Sequence, residues 1–92
     1  MKLEIVTPES IIFKGEVVSV TLPGLSGQFQ LLSNHTAIIS ALKSGEVRIK
    51  LSNVSEDLGL LKIDSVDKSI GLYEIKGGIL EMLTNKAIVL AE

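Results

Sequence analysis

The sequence predicts an all-β domain built as a flattened sandwich or barrel. Three observations carry this. Val, Ile and Thr make up 23 of the 92 residues, and β-branched side chains favour the pleated backbone. Turn signals built on Gly, Pro, Ser and Asn recur at short intervals, leaving no room for a long helix. Several segments also alternate apolar and polar residues with the period of two expected of a half-buried strand.

Nine segments qualify as strands: residues 2–7, 11–22, 28–32, 38–43, 46–51, 58–63, 69–76, 78–83 and 87–91. Pro8-Glu9-Ser10 makes a tight turn after the first, because proline arrives with the φ that a turn needs. The second strand is about twelve residues long and contains Gly15, so a bend or bulge there would let it serve two sheets. Within it, Val18, Val20 and Leu22 share one face, and Val17, Ser19 and Thr21 share the other. Pro23-Gly24 and Ser26-Gly27 bracket the next loop, and Ser44-Gly45 marks a further turn. After it, Val47, Ile49 and Leu51 take one face, and Glu46, Arg48 and Lys50 the other. Gly77-Gly78 reads as a bulge or sharp bend where side chains cannot fit, and Thr84-Asn85-Lys86 closes the last hairpin.

Residues 52–69 form the irregular region. They hold four acids, Glu56, Asp57, Asp64 and Asp67, around one apolar run, and read as a protruding hairpin or long loop. The whole chain, residues 1–92, is one domain with this insertion at about 51–69.

Composition narrows the function. The net charge of −2 supplies no basic excess for a phosphate backbone, so nucleic acid is not an expected partner. Absence of cysteine removes disulfides, thiolate nucleophiles and thiolate metal ligands together. No apolar run approaches the 18 residues of a membrane-spanning helix, and Met1-Lys2-Leu3-Glu4 does not open a signal peptide. Mean hydropathy is nevertheless +0.43, which fits a strand-rich core and also an apolar surface covered by a partner.

No active site assembles. His35 is the only histidine and stands beside no nucleophile or orienting carboxylate that the sequence can place. Gly24 and Gly27 lack the lysine, hydroxyl and following helix of a phosphate loop. Asp64 and Asp67 sit in a polar stretch with nothing to raise a carboxyl pKa, and three aromatics cannot line a stacking groove. No catalytic residue, metal or cofactor is expected. Read from its residues alone, the chain is a small β domain, most simply an interaction module.

A resemblance takes the reading further. Lys2-Leu3-Glu4-Ile5-Val6-Thr7-Pro8-Glu9, Phe13-Lys14-Gly15-Glu16-Val17, Lys43-Ser44-Gly45-Glu46-Val47-Arg48-Ile49, Gly77-Gly78-Ile79-Leu80-Glu81-Met82 and Ala87-Ile88-Val89-Leu90-Ala91 follow in order. Each is similar to a segment of the N-terminal β-sandwich domain of the epsilon subunit of F-type ATP synthase, at near-family spacing. The resemblance covers nearly the whole chain. It implies two roughly five-stranded sheets and a non-catalytic part of the rotor. That part joins the gamma subunit to the ring of c subunits and couples ion translocation to ATP synthesis. It also implies a peripheral position at the cytoplasmic face of the cell inner membrane, held through the complex without direct insertion.

By the same resemblance, His35 falls on the family's loop histidine facing gamma. Thr7, Ala37, Ile38, Ile39, Ser40 and Leu42 fall on or near that surface. Ser26, Gln28 and Gln30 fall on the side facing the c ring, with Gln28 where many relatives carry a carboxylate directed at the ring's polar loops. Ser33 and Ala37 replace prolines common around the family histidine, and residues 51–69 exceed the usual turn by roughly a dozen. Relatives often continue into two C-terminal helices that restrain ATP hydrolysis, and some bind ATP there. The sequence runs to Glu92, just after the sandwich, so neither activity is expected of it. The alternative reading is a free-standing β-sandwich module that binds a ligand or a protein.

Overall fold

The computed structural model describes residues 1–53 and 57–92. Among these residues every regular element is a strand: β1 (Lys2–Val6), β2 (Ile11–Gly24), β3 (Gly27–Leu32), β4 (Ile38–Leu51), β5 (Lys62–Ile63), β6 (Ile70–Leu83) and β7 (Lys86–Ala91). Glu56, one of the four acids of the irregular region, lies outside the described residues.

Hydrogen bonding runs β1-β7-β6-β4-β2 and closes through the antiparallel β1–β2 pair, with β3 on the far side of β2 and β5 on β6. The ring is also a two-layer sandwich, because three strands are each 14 residues long and bend from one layer to the other. The first layer has the order β3, β2 from residue 19, β4 from residue 45, β6 to residue 75, and β5. The second has the order β2 to residue 16, β1, β7, β6 from residue 78, and β4 to residue 43. Each layer therefore holds five strands, as the family resemblance implies. Leu3, Ile5, Phe13, Val20, Ile49 and Leu80 meet between the layers and are essentially inaccessible. Each such side chain contributes about 1.5–3 kcal/mol of burial.

The bends lie in different places from those expected. Gly15 sits in regular register opposite Leu3; the shifts in β2 fall on either side of it, between Ile11 and Phe13 against β1 and between Val17 and Ser19 against β4. The bulged residue is Val18, which points out. One extra residue inverts the alternation, so Val17, Val20 and Leu22 face the core and the expected face of Val18, Val20 and Leu22 does not exist. Ser44-Gly45 is not a turn either: β4 continues through it. A Cβ on Gly45 would lie 2.8 Å from the Pro23 Cβ, so the glycine lets β4 bend closely around β2. Pro23-Gly24 belongs to the end of β2, leaving only Leu25-Ser26 between β2 and β3.

Other turns hold as read. Thr7 and Ser10 close the Pro8-Glu9 turn through Thr7 N–H to Ser10 O at 2.9 Å, and the Thr7 hydroxyl accepts from Ser10 N–H at 3.2 Å. Thr84 and Asn85 both have positive φ, 52° and 59°, as a two-residue hairpin with the right-handed strand twist requires. At Gly78, φ is +155° and a Cβ would fall 2.3 Å from Leu90 O; only glycine permits β6 to change layer there.

The irregular region does not protrude where it is described. Leu61 is a core residue, Leu58 packs against the core, and Leu60 N–H donates to Ile12 O at 2.9 Å. Of the expected strand 58–63 only Lys62–Ile63 pairs, because Gly59 and the Leu61 N–H to Leu58 O bond turn the chain back onto the sandwich.

Candidate functional site

The two outer faces of the sandwich differ in chemistry. On the second layer, the registers align Ala41, Ile79, Leu90, Val6 and Ile11 in one row across all five strands. Ile79 is 47% exposed, Leu90 50% and Ile11 62%. The next row runs Ile39, Glu81, Ile88, Glu4 and Lys14, with Ile39 74% exposed. The third brings Leu83, Lys86, Lys2 and Glu16 together. The face thus grades from an apolar end to a charged one. There Glu4 pairs with Lys86 at 3.2 Å and Lys14 at 3.6 Å, and the Lys86 hydrogen bond leads in holding its pKa below the usual carboxylate value. Ala37, Ile38, Ile39, Glu81, Met82 and Leu83 line a groove of 520 Å³ at the edge of this face.

The residues read as gamma-facing divide by strand parity. Ile39 points out onto the face, and Ala37 is exposed just ahead of β4. Ile38, Ser40 and Leu42 point to the other side. Leu42 is a correction: only 5% exposed, it belongs to the core and offers no surface to a partner. Ile38 is half-buried against the same core, and Ser40 is half-buried with its hydroxyl 3.4 Å from Ala41 O. His35 is exposed in the loop before β4, with Nδ1 2.7 Å from Thr36 O. That loop is tied to the β6–β7 turn by Asn34 N–H donating to Asn85 Oδ1 at 2.8 Å. Thr7, used in its own turn, stands at the opposite end of the sheet, next to the apolar row.

Val6, Ile11, Ile79, Ile88 and Leu90 escape the sequence reading. A signal existed: in β7 the outward positions Ile88 and Leu90 are as apolar as the inward Ala87, Val89 and Ala91. A strand apolar on both sides, in a domain with two layers, is covered on both sides or exposes one.

The outer face of the first layer is polar. Gln30, Thr21, Arg48, Leu72 and Lys62 form its central row. Gln30 reaches the Ser19 hydroxyl at 3.5 Å. Arg48 lies 3.8 Å from Asp64, and Lys50 lies 3.7 Å from Asp67 and bonds the Ser69 hydroxyl. Asp64 accepts the N–H groups of Asp67 and Val66, and Asp67 those of Ser69 N–H and O–H, which keep both carboxyls below their ordinary values. These aspartates fasten a turn. Ser26 sits in the β2–β3 turn, and Ser26 and Gln28 share a 470 Å³ depression with Ile39, Ser40 and Phe29. The two expected contact sets are therefore continuous around one edge. Among the described residues no cluster of His, Cys, Asp and Glu could hold a metal ion, and no helix is long and apolar enough to cross a membrane.

Known proteins match this chain in sequence and in fold. The family described as ATP synthase, Delta/Epsilon chain, beta-sandwich domain matches residues 1–60. The ATP synthase epsilon chain of Chlorobium limicola is 45% identical over 91 residues, covering 99% of this chain and 88% of that one. That of Chlorobaculum tepidum is 44% identical over 90 residues, covering 98% and 86%. That of Sulfurimonas denitrificans is 37% identical over 92 residues, and this chain spans 60% of its length. In fold, the chain is similar to one in the central stalk/c-ring structure of the Tetrahymena thermophila mitochondrial ATP synthase. The TM-score is 0.73 at 13% identity, over 98% of this chain and 61% of that one. A chain of the Euglena gracilis mitochondrial ATP synthase gives 0.75 at 19% identity, over 97% and 48%. With relatives this similar along nearly its whole length, the chain belongs to the ATP synthase epsilon chain family and carries that family's β-sandwich domain.

Proposed function

We propose that the chain is a non-catalytic connector of the central stalk, holding the gamma subunit to the ring of c subunits so that ion translocation is coupled to ATP synthesis. It would act at the cytoplasmic face of the inner membrane, peripheral to it. The observation that carries this reading is the apolar row across the second layer, from Ala41 through Ile79 and Leu90 to Ile11. A row that spans five strands, with charges only toward one end, has the build of an interface core with a polar rim. Gamma covers this face, with Ile39 and Ala37 at its edge and His35 on the adjoining loop. The polar edge around Ser26, Gln28 and Gln30 turns to the c ring.

The fold suits the transmission of torque. Three strands run through both layers and the ring of hydrogen bonds closes on itself, so the layers cannot slide without breaking ladder bonds. A close-packed interior adds low compressibility.

Titration of the chain against its own organism's gamma subunit, read by calorimetry, tests the assignment. A one-to-one complex of submicromolar affinity is expected. No heat of binding between two folded partners would overturn the rotor reading in favour of a free-standing binding module.

A further inference from the structure

Where β4 bends between layers, it leaves a groove of 310 Å³ lined by Pro23, Gln28, Lys43, Gly45, Glu46 and Arg48. The groove follows from the register: Thr21 opposes Arg48, but Gly24 opposes Leu42, so three steps along β2 match six along β4 and the surplus bows outward. Lys43 has no ion-pair partner among the described residues. Arg48 has only Asp64, at 3.8 Å, and its side chain remains 45% exposed. The Gln28 side chain is exposed and makes no hydrogen bond among the described residues. Glu46 is the single acid in the groove, and it faces Glu74 across the β4–β6 pair. Glu46 opposes an incoming carboxylate, but Lys43, Arg48, which Asp64 holds only loosely, and the Gln28 amide favour one.

We infer that this groove receives a carboxylate side chain, an Asp or Glu carried by a polar loop of the c ring. Lys43 and Arg48 supply charge, and the Gln28 amide donates a hydrogen bond that a carboxylate at that position could not. The inference rests on the rotor reading and specifies the chemistry of its lower contact. A partner loop presenting a cation would meet two like charges and one neutral amide, an arrangement that rejects it.

The test uses the complex of this chain with gamma, binding to the detergent-solubilised c ring of the same organism. Gln28→Glu and Lys43→Glu should each weaken binding by about three- to tenfold or more, because each places a negative charge against the loop acid. Lys43→Gln should weaken it by about two- to fivefold, with a shallower salt dependence than the unaltered complex. Tighter binding by Gln28→Glu would show a basic loop and overturn the inference while leaving the rotor assignment intact. Unchanged binding by all three variants would place the ring contact elsewhere and overturn it equally. If the unaltered complex fails to bind the ring, the proposed function itself falls, and the inference with it.

Discussion

Ile39 and Leu42, three residues apart on one strand, should behave oppositely when cut back to alanine. Ile39 points outward and is 74% exposed, whereas Leu42 is 5% exposed in the core. Burying an isoleucine side chain completely is worth about 1.5–3 kcal/mol. With most of that area still open, contact with gamma has about 1–2 kcal/mol left to gain, or about 5- to 30-fold in Kd. Ile39→Ala should therefore weaken gamma binding by about that factor and shift folding stability by about 0.5 kcal/mol or less. Ile39→Asp should abolish measurable binding, since it buries a carboxylate beside Glu81, its cross-strand neighbour. Leu42→Ala should cost about 2–5 kcal/mol of folding stability, a large part of what a domain this size possesses. The fraction that stays folded should bind gamma normally. Calorimetric titration gives the affinities, and urea unfolding at equal slope gives the stabilities. If Ile39→Ala is folded and binds gamma within twofold of the unaltered chain, the assignment of gamma to this face is wrong.

Other consequences follow from the same contacts. Leu61→Ala should lower stability by about 2–4 kcal/mol and Tm by about 10–30 °C, because Leu61 is part of the core; deleting residues 53–67 should cost at least as much, and an unchanged melting curve would show that the segment is dispensable. Gly78→Ala should destabilise by several kcal/mol, since the new Cβ meets Leu90 O at 2.3 Å, while Gly27→Ala, with open space and only a φ of +129° against it, should cost about 1 kcal/mol. Differential melting of both variants compares a backbone clash with conformational strain alone. The hydrogen bonds from Asp67 and Val66 to Asp64, and from Ser69 to Asp67, hold both carboxyls below the ordinary aspartate pKa, so their contribution is complete above the unfolded value and is lost as pH falls through the folded ones. In acid titrations followed by circular dichroism, Asp64→Asn with Asp67→Asn should flatten the loss of stability below about pH 4; an unaltered acid limb would assign that loss to other groups.

The sequence by itself determined what is local. Alternation in residues 46–51, the turn at Pro8-Glu9 and the hairpin at Thr84-Asn85 were legible because period-two patterning and turn chemistry need only neighbours in the chain. The ordered motifs likewise carried the family. Tertiary structure decided which side of each strand faces in. A single bulge at Val18 reverses the parity of β2, and nothing in Val17-Val18-Ser19 distinguishes the bulged residue before β4 lies against it. Ile38 and Ile39 are identical in type, so only the fixed register with β6 sends one toward the core and the other to the surface, taking Leu42 inward with the first. The apolar row was hidden for a related reason. Its members come from five segments spread between Val6 and Leu90, and they became one surface only when the ring of strands closed. Ser44-Gly45 and Gly77-Gly78 look alike as breaks in a pattern, yet both lie inside continuous strands, because a close neighbour across the sheet, Pro23 in one case and Leu90 in the other, requires a glycine there.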